Sequence, residues 1–193
     1  MSIGIVLLVV LVVVALWGVG AYNKLIALKN QVANTWKQID VQLKRRHDLI
    51  PNLVNAVKGA MDFEKSTLEA VISARNKAVS VSGGGVAQVA QAEGQLTQAL
   101  GRLFALSENY PQLKATANIQ QLQEELTSTE NKVGFARQLY NDVATSYNTA
   151  QQQFPTNMMA GLAKASPAEL WQIEDASERA VPTVDLSMNK PQA

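Results

Sequence analysis

Side chains able to do chemistry are few in this 193-residue chain. It carries one histidine and no cysteine. Without cysteine there is no disulfide, no thiolate nucleophile and no cysteine-ligated zinc. His47 lies in QLKRRHDLIPNL, where it is a candidate base or metal ligand, or a structural imidazole bonded between helices. A di-metal bundle needs two Glu-x-x-His pairs, and neither is present. HExxH, Walker and GxGxxG patterns are absent too, and Gly83 to Gly85 lack the Lys and Ser or Thr of a phosphate loop. Catalytic, cofactor-binding and metal-ligating sets are therefore expected to be none. The polar residues that stand out are instead Arg46, His47, Glu125, Glu130 and Arg137, placed at the edges of apolar helical stripes. Edge charges of this kind set helix register or partner choice. Arg46 and His47 are expected to meet Glu125 or Glu130 across a helix pair, with solvation at the surface as the alternative.

The elements that would carry them are helical. Ile3 to Tyr22, IGIVLLVVLVVVALWGVGAY, has no charged side chain and no proline. At about 1.5 Å per residue it forms roughly 30 Å of helix, the thickness of a bilayer's hydrocarbon. Ile3 opens this anchor, and Trp17 and Tyr22 stand where amphipathic rings favour the headgroups. The run is long for a cleaved export signal, which has an apolar core of roughly 7 to 15 residues behind a basic start. A retained single-pass anchor over residues 1–23 is the expectation.

From Leu25 the apolar residues fall on one stripe, Leu28, Val32, Trp36, Ile39, Leu43, then Ile50, Leu53, Val54, Val57 and Met61. That spacing predicts a long amphipathic helix leaving the membrane. Pro51 must kink it or reverse it. Kinked, residues 23–80 make one rod; reversed, a compact four-helix bundle results. A second stretch runs from Pro51 to about Val79, SVSGGGV over 80–86 is a turn, and an Ala- and Gln-rich helix follows over 87–106 with Glu93 its only acid. Such a poorly charged helix is packed on several sides or meets another subunit. Asn109-Tyr110-Pro111 breaks the chain. From Ile119 to Phe154 steps of three and four persist, the seam of a coiled coil or bundle, until Pro155 ends it. Ser166-Pro167-Ala168-Glu169 predicts a short helix with an N-cap, a proline at N1 and an acid in its first turn. Beyond Pro182 the chain should be loose. The fold class is all-α: an N-terminal transmembrane helix followed by an antiparallel bundle of three or four long helices, with domains at 1–23, 24–157 and 158–193.

Charge is uneven. Residues 23–60 hold seven bases against two acids, and 61–193 hold ten against fourteen. Bases beside the span put the C-terminal domain in the cytoplasm by the positive-inside rule; an uncleaved export anchor would put it outside. They also suit anionic headgroups. Lys44, Arg45 and Arg46 are too short a cluster on a near-neutral chain for nucleic acid, so no nucleic-acid partner is expected.

Several stretches resemble the LemA family of bacterial membrane-anchored proteins. They are YNKLIALKNQV after the anchor, WKQIDVQLKRRHDLIPNLVNAVKG, LSENYPQLKA, and LQEELTSTENKVGFARQLYNDVATSYNT with the later FPTN. The resemblance covers nearly all of the chain except 80–101 and the tail. It implies a helical bundle behind one span in a bacterial cytoplasmic membrane, and no agreed reaction. The expected function is a non-enzymatic membrane scaffold or adaptor that forms a homo-oligomer or docks an unidentified membrane protein. A lipid-contacting membrane organiser, using the juxtamembrane bases and Met158 to Ala163, is the alternative, and an accessory to a membrane enzyme or protease rests only on His47 and nearby acids.

Overall fold

The computed structural model describes residues 3–59, 64–110 and 116–172. Among them the chain is helical, with no strand. Helix α1 spans Ile3–Lys58, α2 Lys65–Ser80, α3 Val86–Ser107, α4 Ala117–Gln152 and the single turn α5 Asn157–Ala160. α1 is about 84 Å long, and it passes straight through Pro51. Proline leaves the carbonyl four residues back without its helical donor. Here that carbonyl belongs to His47, and Arg75 Nε on α2 donates to it at 3.3 Å. The break is repaired from a neighbouring helix.

Pro51 therefore does not reverse the chain, but the expected rod to residue 80 is also corrected. α1 stops at Lys58, and α2 runs back along it, as the pairing of Arg75 with His47 shows. α3 then follows α1's direction, and α4 returns against α1. The result is an up-down-up-down bundle in which α1 pairs mainly with α4 and α2 with α3.

Three apolar clusters fill it. The far end packs Ile50, Leu53 and Val57 on Leu68, Val71, Leu96, Leu103 and Leu126. The middle joins Ile39 and Leu43 to Val89, Val133, Tyr140, Ala144 and Trp171. The end nearest the apolar span joins Leu25, Ala150 and Ala163. Each Leu, Ile or Val among them taken from water stabilises the fold by about 1.5–3 kcal/mol. The seam read on α4 is thus its face toward α1, with Ile119, Leu126, Thr129, Val133, Tyr140, Tyr147 and Ala150 buried. Phe154, placed at the end of that seam, lies instead on the surface.

The predicted helix at Ser166 is corrected too: residues 165–172 are not helical. Lys164, at φ 44°, turns the chain, and the next eight residues form an extended strap running antiparallel to α4. Asn148 on α4 donates through Nδ2 to the Ala168 carbonyl at 2.8 Å and accepts the Ala168 N–H at 2.7 Å. Asn141 does the same for Trp171, 2.9 Å each way. Two helical turns rise about 10.5 Å and three extended residues about 10 Å, so the two amides match the strap's spacing. Trp171 is buried and anchors it. These contacts and a proline that favours extended backbone before it outweigh the local capping signal. The stretch set apart as 158–193 is therefore continuous with the bundle through Trp171, while the tail beyond Pro182 lies outside the described residues.

Among the described residues, one helix, α1, is long and apolar enough to cross a membrane. Ile3, Trp17 and Tyr22 are all exposed, as are the aliphatic side chains from Ile5 to Leu16 and Val19, while Ala21 at the inner end is buried. A helix that is apolar all round and bare over its first four turns needs a non-aqueous neighbour.

Candidate functional site

The polar residues of α1 are positioned by its stripe. With Leu43 and Ile50 facing the core, Arg46 and His47 are carried under α3 and α4, and both are buried. Arg46 Nη1 donates to Glu93 Oε2 at 3.1 Å. Its Nη2 donates to Thr97 Oγ1 and lies 2.9 Å from Glu130 Oε2. His47 Nε2 donates to the other Glu93 oxygen at 2.6 Å. Glu93 thus sits at the centre, bridging two consecutive residues of α1 from a helix in which it is the sole acid. A carboxylate buried this deeply is tolerated because both oxygens receive donors and a guanidinium lies alongside.

The structure brings Arg46, His47 and Glu130 together and leaves Glu125 and Arg137 out. Glu125 accepts from Gln121 Nε2 one turn earlier on its own helix, at 3.2 Å. The Arg137 guanidinium lies over the Trp171 ring, 5.6 Å from its centroid, a cation–π contact. Two functional residues were missed. Glu93 had a sequence signal: a sole acid in a low-charge helix must find a buried partner. Trp171 had a weaker one, a large aromatic in a polar tail. It completes a trio with Trp36 and Tyr140, whose centroids lie 5.3 Å apart, and Trp171 is 6.0 Å from Trp36. Tyr140 donates to the Glu169 carbonyl at 2.7 Å. Burial raises its hydroxyl above the ordinary tyrosine range and the Glu169 charge adds to this, which keeps it a donor.

A cleft of about 450 Å³ opens beside His47 and Glu93, bordered by Asp40, Asp48, Arg75 and Gly83. Burial raises the Asp40 carboxyl. His47 and Glu93 meet each other at its edge rather than facing outward. Both Glu93 oxygens are engaged, and the arrangement ties α1, α3 and α4 together. Among the described residues no group of His, Asp and Glu converges as a metal cage.

On the outer side of the α1–α4 pair lies a different surface. Val41 is 63% exposed, Phe135 73% and Leu139 45%. With Lys37, Gln42 and Lys132 they line a groove of about 500 Å³.

Fold and site together define a class: an all-helical protein whose one apolar helix, long enough to span a bilayer, continues unbroken into a four-helix bundle locked by a buried ion-pair cluster. The chain belongs to the LemA family, whose model matches residues 35–186. It is 28% identical to Protein LemA of Metamycoplasma hominis over 74% of its own length, and spans 64% of that relative. It is 24% identical to the magnetosome protein MamQ 2 of Paramagnetospirillum magneticum, covering 86% of this chain and 70% of that one. The magnetosome protein MamQ of Magnetospirillum gryphiswaldense is 21% identical over the same shares.

Proposed function

We propose that this chain is a non-enzymatic, membrane-anchored scaffold that assembles laterally through the outer face of α1 and α4, in a bacterial cytoplasmic membrane with its bundle in the cytoplasm. The observation that carries the reading is the groove of Val41, Phe135 and Leu139. Apolar side chains this exposed on the outward faces of two long helices are the sort of patch that a partner covers. Gln42 adds to it: its Oε1 is buried in that groove with no donor among the described residues. Copies anchored in one membrane share an orientation, so a two-fold axis along the membrane normal brings this face onto itself. The first occupant is therefore a second copy of the chain. The bases just beyond the span support the cytoplasmic side.

Because the chain has no cysteine, Phe135→Cys gives a unique crosslinking site. In native membranes a short bis-maleimide should convert the full-length variant to a band of twice its mass, whereas Ser73→Cys on exposed α2 should stay monomeric. No more dimer from Phe135→Cys than from Ser73→Cys overturns assembly through this face.

A further inference from the structure

The corner where α4 gives way to α5 lies beside the apolar span, not above it. From Val143 to Ala163 there are 21 residues without a charged side chain, between Asp142 and Lys164. This stretch brings α4 down α1 toward the membrane and turns there. Met159 reaches Gly18: its Sδ would be 3.9 Å from a Cβ built at that glycine. Gly18 is four residues inside Tyr22, the last residue of the span, or about 6 Å along the helix axis. Ala21, also within the span, is buried, and Leu25 just beyond it packs on Ala150 and Ala163. A segment that covers Gly18 shares its depth. If the span is in lipid, so is the corner.

Its outward side chains fit that position. Phe154 is 80% exposed, Met158 62% and Leu162 71%, three large apolar groups with no cover from the bundle. Basic groups stand where the corner ends: Lys24 follows the span directly, and Lys29 Nζ donates to the carbonyl of Lys164 at 3.4 Å. An apolar wedge with lysines just above it is the pattern of a segment seated at the boundary of headgroups and acyl chains.

We propose that the α4–α5 corner is a second membrane contact, a wedge that inserts Phe154, Met158 and Leu162 among the acyl chains of the leaflet from which α1 emerges. The proposal rests on reading Ile3–Tyr22 as a span, and it holds whichever side of the membrane the bundle occupies. The bundle is then held to the bilayer at two points, the ends of α1 and α4. A single anchor would let it swivel; two fix its tilt and aim the α1–α4 face sideways.

The test uses the full chain in phosphatidylcholine–phosphatidylglycerol vesicles, with an environment-sensitive fluorophore on one introduced cysteine at a time. Phe154→Cys, Met158→Cys and Leu162→Cys all place it at exposed positions, so folding is spared. Leu11→Cys reports the span and Ser128→Cys the distal surface of α4. Lipids with a nitroxide on the upper acyl chain should quench positions 154, 158 and 162 about threefold or more beyond position 128, with blue-shifted emission. Quenching at 158 and 162 no greater than at 128, with 11 strongly quenched, overturns the wedge and leaves the span intact. Loss of quenching at 11 as well overturns both.

Discussion

At the scale of single residues, Glu93 holds the bundle and Glu130 assists. The Glu93 side chain is buried and engages Arg46 and His47, whereas that of Glu130 is 35% exposed and reaches Arg46 only. Removing one member of a buried, hydrogen-bonded pair strands the other's charge in a poor solvent, at about 3–5 kcal/mol. A partly solvated carboxylate contributes at most about 1 kcal/mol, since water replaces it. Glu93→Ala should therefore lower the circular-dichroism melting midpoint in detergent far more than Glu130→Ala. Equal, small shifts for the two would show that the cluster does not hold α3 to α1. Arg75 works similarly at smaller scale, supplying the donor that Pro51 denies to His47.

At the scale of elements, the strap over residues 165–172 is held by α4 side chains rather than by its own hydrogen bonds. Asn141 and Asn148 each give and take one bond with a single strap residue, as a neighbouring strand would. Replacing either asparagine leaves backbone groups without partners, at about 1–3 kcal/mol. That is enough to free a short segment without melting four helices. Asn141→Ala and Asn148→Ala should speed chymotryptic cleavage after Trp171, read by mass spectrometry, with the global melt little changed. Asn131→Ala, on the same helix but away from the strap, should not. Unchanged cleavage in both strap variants would mean that the buried Trp171 ring alone retains the segment.

At the scale of the whole molecule, α1 is one continuous helix that is apolar on all sides up to Tyr22 and amphipathic beyond it. Nothing at the junction breaks it, so the bundle is coupled rigidly to the span. Lateral assembly and the wedge both depend on that rigidity. The proposed cytoplasmic side rests on charge: seven bases within residues 23–60 favour retention there. In cells stripped of their outer barrier, protease added outside should leave the bundle intact until the membrane is permeabilised. Cleavage in sealed cells would place the bundle outside and move the search for partners to the envelope.

How far the sequence alone reaches can be judged from particular residues. The apolar run from Ile3, the stripe from Leu25, the glycine turn at 83–85 and the three–four spacing from Ile119 were legible because helix periodicity and turn chemistry are local. The place of Arg46 and His47 at the edge of a stripe was legible too, but whether they met Glu125, Glu130 or water was left open until the helices were packed, with Arg46 against Glu130. The hub at Glu93 was not legible, because a third helix has to fold back before its one acid meets α1. Nor was the fate of Ser166-Pro167-Ala168-Glu169, where a good local helix start loses to two asparagines and a tyrosine twenty or more residues earlier. The depth of Met159 beside Gly18 is likewise invisible in one dimension. Local periodicity determined which segments are helices and which face of each is apolar; only tertiary packing decided which helix end meets the membrane flank and which acid meets which base, because those contacts join residues far apart in the chain.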